Sequence, residues 1–182
     1  MTTSEPSTGH ARAFGIEVWA GAVALAASLA GAIALQSLTL MAAAMHALAT
    51  GALEPMVPDV RLPRWREILR SAAIVAFALM AFYLAVTIPQ RLNHGVPIDT
   101  MHITWYATPG LACAFSAGWH AWKGTRRRAS MHVLIRVAAP LLVFFVAIVL
   151  PATGSRLVDT IAAAILGLAA IARALYVFGE HA

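Results

Sequence analysis

The chain has 182 residues, 60% of them hydrophobic, with 13 Lys and Arg against 8 Asp and Glu for a formal charge of +5, and its mean hydropathy is +0.76. On composition a water-soluble domain is excluded, because six apolar runs fill the chain and a helix needs only about 20 mostly apolar residues to cross a bilayer. The single cysteine, Cys113, excludes an internal disulfide or thiolate cluster and is expected to serve packing.

The hydrophobic pattern predicts helices over Phe14–Leu35, Leu38–Val57, Ile68–Ile88, Met101–Trp122, Val133–Pro151 and Leu157–Phe178. Strand alternation is absent, so helices must satisfy the backbone internally and a barrel is excluded. The expected fold is all-α, a six-helix polytopic transmembrane bundle over residues 14–178. Residues 1–13 read as a mobile N-terminal tail and 179–182 as a short C-terminal one. No basic segment leads into a short apolar core at the start, so the first span is expected to be retained. Short loops predict that consecutive helices are antiparallel neighbours in one bundle.

The first span is dense in small residues from Ala20 to Ala32, as is the second from Leu38 and the sixth at Ala162–Ala164 and Ala169–Ala172. Small side chains let membrane helices approach closely. The third, with Phe77, Phe82 and Tyr83, and the fifth, with Phe144 and Phe145, are bulkier and expected to face lipid. Pro109-Gly110 and Pro140 interrupt the fourth and fifth helices. Trp105 and Tyr106 at one end of the fourth span, and Trp119 and Trp122 at the other, fit the aromatic belts of a bilayer.

Charge sets the expected orientation. Arg12, the Arg61, Arg64 and Arg66 loop with Arg70, and the Lys123, Arg126, Arg127 and Arg128 loop would stay in the cytoplasm, placing both termini inside. The opposite loops hold only Arg91 and Arg156, beside Asp99 and Asp159. Orientation and attraction to anionic lipid account for the basic loops, so no nucleic-acid partner is expected. The expected partners are the lipid bilayer and a second copy or a larger membrane complex, with the inner (cytoplasmic) membrane as location.

Ionisable residues within spans are costly and read as functional. His46, Thr50 and Glu54 follow at four-residue intervals on one face of the second helix. Glu17 lies near the cytoplasmic end of the first, close to the level of Glu54. His102 and His120 stand near opposite ends of the fourth helix, and His132 and Arg136 one turn apart at the start of the fifth. Arg70 and Arg173 are close enough to helix ends to snorkel and are given no function. His94 reads as a solvated loop residue, and His10 and His181 as terminal ones.

The run Ser37-Leu38-Thr39-Leu40 leading to His46 and Thr50 resembles the second transmembrane helix of the cation diffusion facilitator (cation efflux) family. Arg66-Glu67-Ile68-Leu69 resembles that family's opening of the third helix, His132-Val133-Leu134-Ile135-Arg136 its fifth-helix motif, and Val158-Asp159-Thr160 the start of its sixth. The resemblance covers about residues 14–178 and implies six helices with both termini inside. It also implies a divalent metal ion such as Zn2+, held tetrahedrally at the positions of His46, Thr50, His132 and Arg136 and exchanged against protons.

The departures change that expectation. Both histidines persist, but one family carboxylate is the hydroxyl of Thr50, the other is Arg136, and an upstream aspartate position is Ala43. A guanidinium about 4 Å from a divalent ion repels it by roughly 8 kcal/mol at an effective dielectric of 20. The family's C-terminal metal-binding domain has no counterpart within these residues, so a truncated, degenerate relative is expected. The leading reading is a non-transporting membrane subunit or interaction module. One alternative is a divalent cation transporter with a rebuilt site of His46, Glu54 and Glu17, since an ion wants about four ligands, some anionic. Another is a b-type haem protein using His102, His120 and His132. No combination of nucleophile, base and orienting group suggests an enzyme.

Overall fold

The computed structural model describes residues 8–50, 64–94, 100, 102–124, 129–153 and 155–179, with the side chains of 8–18, 64–66, 117–124, 129–136, 156 and 177–179 outside the description. Among the described residues there are six helices and no strand: α1 Thr8–Leu35, α2 Leu38–Leu48, α3 Arg64–His94, α4 Ile103–Gly124, α5 Ala129–Thr153 and α6 Arg156–Gly179. Each expected run overlaps one of them. The ends differ where local chemistry extends a helix beyond its apolar stretch. α1 begins at Thr8, inside the segment expected as a tail, and α3 runs 31 residues, through Pro89. Pro89 has no amide to give the Ala85 carbonyl, and the helix continues for five residues beyond it. α2 is followed by a widened turn at Ala49–Thr50, and the expected remainder of this helix, to Val57, lies outside the described residues.

α1 reverses into α2 within two residues. Gln36 adopts φ 53°, the left-handed conformation that turns the chain sharply. Ser37 then caps α2, its Oγ accepting from the Leu40 amide at 3.3 Å. α4 opens on a tight turn in which the His102 carbonyl accepts from the Trp105 amide at 3.1 Å.

α2 is the central element, packed against α1, α3, α5 and α6. Eight of its 11 residues are buried, and its alanines are what let so many helices approach one axis. α4 lies between α1 and α5, and α3 pairs with α6 on the far side of α2. One sequence expectation fails here: α3 and α4 are consecutive but are not packed as neighbours, since α3 leans on α2 and α6. Shortness of a loop limits its span without forcing side-by-side packing.

The core runs along these contacts through Leu38, Leu40, Met45, Ile103, Leu150 and Leu166. α1 packs tightly at Gly31, where an added Cβ would fall 2.6 Å from Tyr106 Cβ and Cγ on α4 and 2.7 Å from Leu40 Cδ1 on α2. The outward faces are apolar. Phe82 and Tyr83 on α3 and Phe145 on α5 are exposed as expected, whereas Phe77 and Phe144 pack against the core. Arg173, expected to snorkel, is instead buried, with its guanidinium 5.8 Å from the Tyr176 ring centre.

Two helices among the described residues are long and apolar enough to cross a membrane, Glu67–His94 and Leu157–Tyr176. Trp19–Leu35, Leu38–Leu48 and Val137–Thr153 are shorter apolar stretches.

Candidate functional site

Among the described residues, and besides Arg173, two polar places interrupt the apolar interior. The first lies where the end of α3 meets the starts of α2 and α6. Asp159, fully buried in the first turn of α6, accepts from Ser37 Oγ at 2.7 Å, the Leu38 amide at 2.9 Å and the Thr39 amide at 3.1 Å. Its backbone carbonyl accepts from Thr39 Oγ1 at 2.9 Å. The carboxylate therefore caps α2 from another helix, where the orphan amides and the positive end of the helix dipole favour an anion. Arg91, whose side chain is 6% exposed, brings Nη1 to 3.7 Å from Asp159 Oδ2. This is a charge contact longer than a hydrogen bond.

Reading Asp159 and Arg91 as loop charges is thereby corrected: both are buried members of one node. Sequence offered a partial signal in Ser37 and Thr39 opening an apolar run. Nothing local marked a carboxylate 122 residues away as the second cap. The Asp159 oxygens face the start of α2 and the Arg91 guanidinium, so the node joins three helices.

The second place is a cavity of about 80 Å³ between α1, α2, α4 and α5. Its wall is nearly all small and apolar, with Ser28, His46, Thr50 and Cys113 as the polar exceptions among the described residues. His46 is 5% exposed. Thr50, one turn on, shares its face as the four-residue spacing predicts. The Thr50 hydroxyl donates to the His46 carbonyl at 3.0 Å. In an apolar setting threonine commonly satisfies itself in this way, which turns the hydroxyl onto its own helix. α5 contributes Ala139, Pro140 and Val143. Pro140 has no amide hydrogen, so the carbonyl four residues earlier loses its usual donor beside the cavity.

The remaining expected site residues divide by position. Glu17 on α1, His120 on α4, and His132 and Arg136 on α5 stand on described helices with their side chains outside the description, and Glu54 lies outside the described residues. His102 is exposed at the end of the bundle where α4 begins, and it does not line the cavity. The structure thus brings together His46 and Thr50 from the expected metal set, and Ser28, Cys113 and Gly110 join them unforeseen. Among the described residues no three His, Cys, Asp or Glu side chains are grouped to hold a metal ion. No family model matches this chain, and no match was found among curated proteins.

Proposed function

We propose that the chain is a multi-pass protein of the cytoplasmic membrane, a six-helix scaffold resembling the transmembrane domain of cation efflux transporters that no longer carries metal. It acts as a membrane subunit or interaction module. The observation that carries this reading is the junction of α2 and α5. The resemblance requires the second and fifth helices to face one another at His46, and both line the cavity that holds His46. Among the described residues they present there one imidazole, a hydroxyl bonded to its own helix, and alanine, proline and valine. Arg136 stands one turn before Pro140 and would bring a fixed positive charge to the level an ion would occupy.

The membrane setting is supported by the outer surface. The 18-residue apolar window of Glu67–His94 has a mean hydropathy of 2.2 and is only 11% buried. Trp105, Phe82, Ile33, Leu168 and Leu175 are each more than two-thirds exposed. An apolar surface of that extent belongs against lipid or a partner. With the basic loops inside, a cysteine placed at Gly124 in a Cys113→Ala background should react with an impermeant maleimide only after the membrane is opened. One placed at Gly95 should react from outside. The reverse labelling would reject both the orientation and the resemblance that needs it.

The absence of transport is tested in proteoliposomes. Zinc entry with the native chain should equal that of protein-free vesicles. Saturable entry that His46→Ala removes would restore the transporter reading.

A further inference from the structure

The last turns of α3 are open to their surroundings except at one residue. Pro89, Gln90, Leu92, Asn93 and His94 are exposed, whereas Arg91 among them is turned inward and is 8% exposed. A long cationic side chain at a helix end reaches water at little cost, so holding this one inside the bundle needs a reason.

Asp159 supplies only part of it. Its carboxylate already accepts from Ser37 Oγ and from the Leu38 and Thr39 amides. Arg91 Nη1 stops 3.7 Å from Oδ2, outside hydrogen-bond distance. Arg91 Nε and Nη1 are both buried, and neither has a hydrogen-bond partner. A buried charge is costly unless it is both paired and hydrogen-bonded, and an unmade bond to a charged group costs more than one to a neutral group. The carboxylate of the node is satisfied and the guanidinium is not. What it lacks is an acceptor.

The surroundings favour an acceptor that is an anion. Guanidinium donors match carboxylate and phosphate oxygens, which take several N–H groups together. α2 and α6 both begin at this node, and helix starts add positive potential. Arg91 also stands in the last turn of Glu67–His94, which is long and apolar enough to cross a membrane. In a bilayer that is the level of lipid phosphates, and basic pockets between membrane helices bind such headgroups.

We infer that Arg91 is the seat of a binding site for a phosphate group, carried by a lipid headgroup or free in solution. Nε and Nη1 are covered as the side chain stands, so rotation about the side-chain bonds of Arg91 brings them to the phosphate. That movement breaks no hydrogen bond at Nε or Nη1, and Asp159 stays on the α2 amides. The lipid source rests on the membrane reading above, while the free anion is independent of it.

The test is the unfolding temperature of the full chain in dodecyl maltoside, titrated with inorganic phosphate in one arm and phosphatidylglycerol in the other. At about a hundred times its dissociation constant a ligand of the folded state should raise that temperature by roughly 5–10 °C, and the rise should saturate. A rise with phosphatidylglycerol alone assigns the site to a lipid headgroup, and one with inorganic phosphate assigns it to the free anion. A galactolipid, which has no phosphate, should give none. Arg91→Gln should abolish the rise, and Arg70→Gln, toward the other end of α3, should keep it. Asp159→Asn removes the neighbouring negative charge and keeps an oxygen for the α2 amides, so it should tighten binding severalfold. Should Arg91→Gln fail to fold, Arg91→Lys keeps the charge without the guanidinium fork and should weaken binding about tenfold.

No saturable rise in either arm, or an equal rise in Arg91→Gln, overturns the proposal. So does a loss of stability in Asp99→Asn to which Arg91→Gln adds nothing, because the missing acceptor would then be this chain's own carboxylate.

Discussion

Asp159→Ala should destabilise the folded chain by about 3–5 kcal/mol, the usual cost of breaking a buried ion pair from one side. The loss has two sources. Arg91 keeps its charge in a nearly sealed position with its counter-charge gone, and the start of α2 loses the carboxylate that takes the Leu38 and Thr39 amides. The measurement is the unfolding midpoint of the purified protein in mild detergent. Asp159→Ala combined with Arg91→Leu should recover part of the loss, because the stranded cation is removed while the missing cap is not. A single substitution that left the midpoint unchanged would show that the node does not hold the three helices together.

Gly31→Ala should cost about 1–3 kcal/mol, as overpacking of a tight interior does. The new methyl would sit 2.6 Å from Tyr106 Cβ and Cγ. Tyr106 Cβ is fixed to the α4 backbone, so α1 and α4 must separate to admit it. Gly110→Ala and Gly167→Ala are the controls. Their added carbons would come no closer than 3.9 Å to Ser28 Oγ and 3.5 Å to Leu84 Cδ1, which is ordinary contact. The same unfolding measurement checks all three. Helix propensity alone would make each of these changes slightly stabilising, so a gain at Gly31 like that at the controls would contradict a tight α1–α4 crossing.

The helices were legible because a long apolar run without strand alternation has few other readings, whereas the capping of α2 by Ser37 went unread. The pairing of His46 with Thr50 was legible from four-residue spacing, since that is a property of one helix. The partners of those residues were not. Ser28, Gly110 and Cys113 join the cavity by the packing of α1 and α4 on α2 and α5, and each looks like one more small residue in a sequence full of them. The Asp159 node was hidden for the same reason. Its members belong to three segments, and charge counting assigns Arg91 and Asp159 to loops. α3 misled the ordering of helices because loop length says how far the chain can travel, not which neighbour it will choose.

The central claim, that the position of a transported ion has been given over to Arg136 and a self-bonded Thr50, is tested most directly by Zn2+ titration. The native chain in detergent, by isothermal calorimetry, should show no saturable binding. Thr50→Asp with Arg136→Asp adds a carboxylate one turn from each of His46 and His132 in sequence and removes a cation, so the double variant should bind Zn2+ saturably. Tight binding by the native chain that His46→Ala abolishes would contradict the account.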